Sequence, residues 1–187
     1  SIEVTRARIR KKIGLDHFVL PGDDLYDALA EHKLHRNFQG YCTRRTTGQV
    51  YAFGVTAISQ LENGFSQNVR EIPDYNKMIS EGKFPVEKGY RLNLKEKLTG
   101  EIISEIMCNR KLDYVSIAEK YKISVEELKL SYPSDTPIIK EFISDGLVQV
   151  AGNEIDVTEA GSLFIRNIAA AFDSEYIQKV KTYSKTV

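Results

Sequence analysis

Cysteine and histidine are scarce in this chain, and charge of either sign is not in excess. The only cysteines, Cys42 and Cys108, stand far apart and offer no disulfide framework. With His17, His32 and His35 as the only histidines, no Cys/His spacing matches a metal site. Lys plus Arg and Asp plus Glu both number 26, so the formal net charge is zero. Such a balance gives no reason to expect a nucleic acid or an anionic membrane as partner. No apolar run approaches the roughly 18 residues of a membrane span. The start Ser1-Ile2-Glu3-Val4 carries no apolar leader, so the cytoplasm is the expected setting. A Ser/His/Asp order, a nucleophile elbow, a glycine-rich phosphate loop, an internal repeat and a low-complexity segment are all missing.

What is present reads as a soluble chain with room for one domain or two small ones, since 187 residues can bury a real core. Arg6, Arg8 and Arg10 alternate with Ala7 and Ile9 ahead of Lys11 and Lys12. This pattern favours an exposed strand kept soluble by charge; an anion-binding edge is the alternative. Ile13 to Leu20 reads as a strand stopped by Pro21-Gly22, after which Asp23 caps a helix through Leu25, Ala28 and Leu29. The string Arg36-Asn37-Phe38-Gln39-Gly40-Tyr41 suits a loop that presents polar groups to a ligand. Val50 to Ile58 is a strand-like run broken by Gly54.

From about residue 70 the period turns helical. Ile72 to Ile79 predicts a short helix ended by Gly82, and Lys95 to Cys108 a longer one with Leu98, Ile102, Ile103, Ile106 and Met107 on one face. Ser124 to Glu127 has capping-box form, Thr136-Pro137 opens a further helix, and Gly146 closes it. Gly152-Asn153 then marks a hairpin between Leu147–Val150 and Ile155–Val157. Thr158 caps a last helix with Phe164, Ile168 and Phe172 on one face. Helices followed by a hairpin are winged-helix-like. DNA binding is nevertheless disfavoured, because Ser124 to Asp145 holds five acids against two bases where phosphates would approach. Adjacent Asp16 and His17 point to opposite faces of a strand and are not a ready-made dyad. A hydrogen-bonded structural histidine is favoured, with a group facing a pocket as the alternative.

Certain strings resemble a known family. They are Ile13-Gly14-Leu15-Asp16-His17-Phe18, Leu34-His35-Arg36-Asn37-Phe38-Gln39-Gly40-Tyr41, Gly54-Val55-Thr56-Ala57-Ile58-Ser59 and Gln67-Asn68. Met107-Cys108-Asn109, Asp145-Gly146-Leu147-Val148, Val157-Thr158, Arg166-Asn167-Ile168 and Phe172-Asp173 follow. In order and spacing they are similar to the C-terminal half of oxygen-independent coproporphyrinogen III oxidases. The resemblance implies an α+β chain: residues 1–70 as the end of a radical-enzyme partial (β/α) barrel, and residues 71–187 as a mostly helical, winged-helix-like domain. It implies oxidative decarboxylation of two propionates of coproporphyrinogen III to vinyls, with S-adenosylmethionine, a 4Fe-4S cluster and an electron donor, by a monomer. Gln39 and Ile58 match positions that contact a second S-adenosylmethionine, with Phe38 in the same wall. His17 and Arg36 are candidates for orienting the substrate or binding its carboxylates, or else for structural hydrogen bonds. No catalytic residue or metal ligand is assigned.

The departures are as informative. The Cys-x-x-x-Cys-x-x-Cys cluster motif is missing, and Thr56 stands where the family usually has Ser. The expectation is therefore a fragment of a longer enzyme, inactive alone and binding neither cofactor. The alternatives are a heme chaperone, whose usual Asn-x-x-Tyr-Trp string is absent from a chain without tryptophan, a heme-degrading relative, or a non-catalytic binding module.

Overall fold

The turn at Pro21-Gly22 separates two short apolar stretches, and what they form is smaller than their composition suggests. The computed structural model describes residues 11–13, 17–37, 40–43 and 49–174. Strands β1 (Lys11–Lys12) and β2 (Phe18–Val19) pair antiparallel, with Ile13 N donating to His17 O at 2.9 Å. Of the strand expected over Ile13–Leu20, the described residues show Phe18–Val19, and residues 14–16 lie outside them. Asp16 and the Arg6–Arg10 alternation lie outside the described residues. Asp23 does cap α1 (Asp24–Ala30), its Oδ1 accepting from Leu25 N at 2.8 Å.

The loop expected over Arg36–Tyr41 is corrected. β3 (Leu34–Asn37) and β4 (Gly40–Thr43) form an antiparallel hairpin in which Arg36 faces Tyr41 across the strands. The string lacks apolar alternation, yet it pairs, and the Arg36 guanidinium lies 5.5 Å from the Tyr41 ring centroid across the strands. Phe38 and Gln39, between the two strands, lie outside the described residues.

The strand expected over Val50–Ile58 is also corrected. Val50 makes only an isolated bridge to Gln60, and β5 covers Ile58–Leu61. Between them Gly54 (φ +99°) and Thr56 (φ +61°) turn the backbone into the left-handed region, which breaks extended pairing. β5, β6 (Gly64–Asn68) and β7 (Val86–Arg91) make an antiparallel sheet in that order, with α2 (Ile72–Ser80) between β6 and β7. Strand β7 has no apolar alternation and gave no sequence signal.

The remainder runs α3 (Leu94–Asn109), β8 (Lys111–Asp113), α4 (Tyr114–Tyr121), α5 (Val125–Ser131), α6 (Pro137–Ser144), β9 (Val148–Ala151) and β10 (Glu154–Val157). A 3₁₀ turn (Gly161–Phe164) and α7 (Ile165–Ala170) follow. The second sheet has the antiparallel order β8-β10-β9. Ser124 and Thr136 cap α5 and α6, but of the capping box expected at Ser124–Glu127 only the Ser124 half forms, and the reciprocal box is at Asn93 and Glu96. The 3₁₀ turn shifts the phase of the last helix. Ile165, Ile168, Ala169 and Phe172 are buried as a result, and Phe164, expected on that face, is 48% exposed.

Leu98, Ile102 and Ile106 carry the buried face of α3 into the larger core, with Leu112, Ile117, Leu128, Ile139, Val148 and Ile155. Cys108, at the other end of α3, joins a smaller core with Ile13, Val19, Ala28, Leu29 and Leu34. Among the described residues no helix is long and apolar enough to cross a membrane.

Candidate functional site

Leu34 fixes the β3–β4 hairpin. Its side chain is fully buried, and its backbone N–H donates to Asn109 Oδ1 at 3.1 Å. Asn109 is itself 3% exposed at the end of α3, and its Nδ2 donates to Glu105 Oε2 at 2.8 Å. One carboxamide thus satisfies a strand donor and a helix carboxylate, which sets the hairpin against α3.

On that hairpin Tyr41 gathers the two substrate candidates. The Arg36 guanidinium lies over its ring, and the His17 ring meets it edge-on, with centroids 5.0 Å apart and planes at 71°. Arg36 and His17 are both exposed. No carboxylate among the described residues pairs with Arg36. A guanidinium oriented by a ring keeps its forked donors available for a ligand carboxylate.

Arg36 and His35 also border a groove of about 690 Å³ between the hairpin, the first three-stranded sheet and the α3–α4 pair. Lys97, Lys120 and Lys122 line it together with Glu62, Glu96 and Glu101. Part of this charge is internally satisfied. Lys120 pairs with Glu101 at 2.6 Å, and Lys97 donates to Asn63. The Tyr90 hydroxyl and the Asn93 N–H donate to Glu96 and hold its carboxyl below the usual range.

Ile58 sits elsewhere, half-buried at the start of β5 opposite Gln67. The turn before it is braced from two sides. Gly54 N donates to Tyr75 Oη at 3.0 Å, and Asn68 Nδ2 donates to Gly54 O at 2.9 Å. Thr56 N and Asn68 N add bonds to Val69 O and Ala57 O. These bonds hold a β-branched threonine in the left-handed region, where it is otherwise unfavourable.

The structure therefore brings His17 and Arg36 together on Tyr41 and places Ile58 in a different sheet. Phe38 and Gln39 lie outside the described residues. Tyr41, Asn68, Tyr75 and Asn109 were not singled out from the sequence. Tyr41, Asn68 and Asn109 stand in the quoted strings, but their importance comes from burial or partners remote in sequence. Tyr75, a single residue in a short helix, carries no comparable signal.

Among the described residues no group of His, Cys, Asp and Glu is placed to hold a metal. Cys42 is half-buried on β4 and Cys108 is in the core. Two such thiols do not supply a three-cysteine cluster site, so the iron-sulfur group does not fit this chain by itself.

No protein-family profile matches the chain. The oxygen-independent coproporphyrinogen III oxidase of Helicobacter pylori 26695 is 34% identical over 175 residues, which is 94% of this chain and 37% of that protein. The enzyme of Escherichia coli K12 is 34% identical, covering 90% and 36% respectively. That of Thermostichus vulcanus is 35% identical, covering 94% and 53%. The solved structure of coproporphyrinogen III oxidase (HemN) from Escherichia coli, described as a radical SAM enzyme, superposes with a TM-score of 0.78 at 32% identity. It covers 93% of this chain and 39% of the enzyme. The oxidase name of these relatives favours that reading over a heme chaperone or a heme-degrading protein. The chain spans about a third to a half of the relatives it matches, and over nearly its whole length it is similar to one part of the oxygen-independent coproporphyrinogen III oxidases.

Proposed function

We propose that the chain works as the C-terminal part of an oxygen-independent coproporphyrinogen III oxidase. The observation that carries this is the agreement of sequence and fold: 34% identity over 94% of the chain and a TM-score of 0.78. In this reading the whole enzyme converts two propionates of coproporphyrinogen III to vinyls, giving protoporphyrinogen IX for heme synthesis. A 4Fe-4S cluster, S-adenosylmethionine and an electron donor supply the radical chemistry. The cluster ligands belong to a portion outside these 187 residues, so this chain alone is inactive.

Its own residues bind and orient. Arg36, steered by Tyr41 with His17 on the same ring, takes a substrate carboxylate through paired N–H donors. Gln39, beyond the β3 end of the hairpin, donates to and accepts from the amino-acid end of a second S-adenosylmethionine. Phe38 and Ile58 give that molecule apolar contact. We further propose that residues 94–172 are a winged-helix-like unit, a reading supported by the four helices α3–α6 ahead of the β9–β10 hairpin and the β8-β10-β9 sheet. The preceding residues are the end of a partial barrel. A division near residue 70 has the β6–β7 pairing running across it, whereas one at Leu92-Asn93 leaves every described strand pair inside one unit. The acidic Ser124–Asp145 segment supports a role without nucleic acid, and the protein is taken as cytoplasmic and monomeric.

The test is a chimera in which this chain replaces the matched third of the Escherichia coli enzyme, reconstituted anaerobically and assayed for coproporphyrinogen III turnover. Activity is the expected result. A folded chimera with full cluster content and no turnover overturns the reading, as does a stable 4Fe-4S cluster on the isolated chain. In the active chimera, Gln39→Ala should remove about 1 kcal/mol of cofactor binding. Turnover should fall further through misorientation, with cluster content and melting temperature unchanged. Normal turnover rejects the Gln39 role.

A further inference from the structure

The turn ahead of β5 is shaped by side chains rather than by strand pairing. Both backbone polar groups of Gly54 are taken by remote residues. Its N–H donates to Tyr75 Oη at 3.0 Å, and its carbonyl accepts from Asn68 Nδ2 at 2.9 Å. Two residues on, Thr56 stands at φ +61°, its N–H donating to Val69 O at 2.9 Å and its carbonyl accepting from Gln67 Nε2 at 3.4 Å. Crowding around Cβ disfavours that backbone conformation for a β-branched residue, so it persists only where the surroundings hold it.

The sheet itself does not need this clamp. β5 and β6 pair in register from Ile58–Gln67 to Leu61–Gly64, and β6 pairs along its other edge with β7. Nor does Tyr75 serve a core. It is half-buried on α2, a helix without a fully buried residue, and among the described residues α2 belongs to neither hydrophobic core. A tyrosine that gives its hydroxyl to one glycine N–H and packs into no core fixes the shape of that glycine's turn. The turn opens directly into Ile58, two residues beyond Thr56, and Thr56 is itself exposed. Backbone strain over-determined by its surroundings collects at sites that clamp ligands.

We propose that Tyr75 is a positioning residue for cofactor binding: it clamps Gly54 so that the strained turn at residues 54–57 presents Ile58 to an S-adenosylmethionine. The proposal rests on the reading given under Proposed function, in which Ile58 gives that molecule apolar contact. Tyr75 acts through Gly54 and Thr56 and touches no ligand itself. Without its hydroxyl, Thr56 relaxes toward ordinary backbone and turns the peptide that leads into Ile58. Asn68 grips the same glycine by its carbonyl but is 5% exposed, so truncating it leaves a buried gap. The hydroxyl of the half-buried Tyr75 is the cleaner handle.

Tyr75→Phe in the active Escherichia coli chimera removes the hydroxyl and keeps the ring. The KM for S-adenosylmethionine should rise about fivefold, the factor that one lost hydrogen bond is worth. The KM for coproporphyrinogen III and the cluster content should not move, and the melting temperature should stay within about 2 °C. Amide exchange over residues 51–57 should quicken. Thr56→Asn supplies the rescue background, because asparagine tolerates left-handed backbone and does not need the clamp. There Tyr75→Phe should raise that KM by less than about twofold. An unchanged KM for S-adenosylmethionine in a folded Tyr75→Phe chimera overturns the proposal, and so does an equal rise with and without Thr56→Asn. A Tyr75→Phe chimera that loses its fold or its cluster also overturns it, since the hydroxyl is then structural. Failure of the oxidase reading looks different: the parent chimera, with Tyr75 intact, shows no turnover, and the positioning role falls with it.

Discussion

Residues 94–172 and residues 49–93 are of the same polypeptide but are stabilised by different means. The first region closes on itself. Its helices and the β8-β10-β9 sheet surround fully buried Ile102, Ile106, Leu112, Ile139 and Ile168. Two of its tyrosine hydroxyls are also matched internally: Tyr114 Oη donates to Tyr132 O at 2.6 Å, and Tyr132 Oη donates to Lys95 O at 3.0 Å. The second region has a regular antiparallel sheet and bonds that brace its turn, but no core. Hydrogen bonds specify its shape, whereas burial of apolar surface, the dominant favourable term in folding, is concentrated in the first region among the described residues. The difference teaches that ordered secondary structure and independent stability are separate properties.

The comparison breaks most directly at matched isoleucines. Ile139→Ala, at a site with no exposed surface on α6, should destabilise by about 2–5 kcal/mol in urea unfolding. Ile79→Ala, half exposed on α2, should stay within about 0.5 kcal/mol of the parent in the isolated chain. Equal losses at the two sites would erase the distinction between the regions.

Glycine gives the next contrast, with opposite signs. Gly64→Ala forces a methyl onto Tyr90 O and should cost about 1–3 kcal/mol of sheet stability, seen as faster amide exchange along β6 and β7. Gly100→Ala, in α3 with nothing within 4 Å of the new Cβ, should raise the melting temperature, by about 0.5–1 kcal/mol of helix stabilisation. A destabilised Gly100→Ala protein would show that α3 is crowded on its outer side.

Alkaline pH produces the smallest effect and acts on the cored region. Burial pushes the Tyr121 hydroxyl up to about 12 and raises those of Tyr114 and Tyr132 as well. An unfolded tyrosine ionises near pH ~10. The unfolded chain therefore loses these protons first. The contribution is fully present below about pH 10 and is lost as pH rises through the raised folded values. Urea midpoints should decline above pH ~10, and Tyr121→Phe should remove its share of the decline. An unchanged slope in that variant would mean that its hydroxyl titrates normally in the fold.

The helical half was legible because its signals are local. Asp23 and Ser124 were read as caps and Thr136-Pro137 as a helix start from one or two neighbours, and a cap bonds a backbone N–H two or three residues on. The Gly152-Asn153 hairpin depends only on its turn pair and flanking strands. The candidate site was less legible. Arg36 is exposed, but its strand was read as a loop, because its partner across the hairpin is Tyr41 and no apolar alternation marks the pairing. Val50–Ile58 failed for the opposite reason: an apolar run that looked extended is turned by Gly54 and Thr56 under bonds from Asn68 and Tyr75.

By itself the sequence determined the starts of α1, α5 and α6, the apolar face of α3, and the resemblance carried by its short strings, while α4 and the 3₁₀ turn ahead of α7 went unread. Each feature that was read depends on residues close together along the chain. The meeting of His17 and Arg36 on Tyr41, the Asn109 link between α3 and β3, and the pairing of Phe65 with Tyr90 were decided only by tertiary structure. They depend on contacts between remote segments and on burial, which a hydrogen-bonding side chain or an exposed ring acquires only once the chain has folded around it.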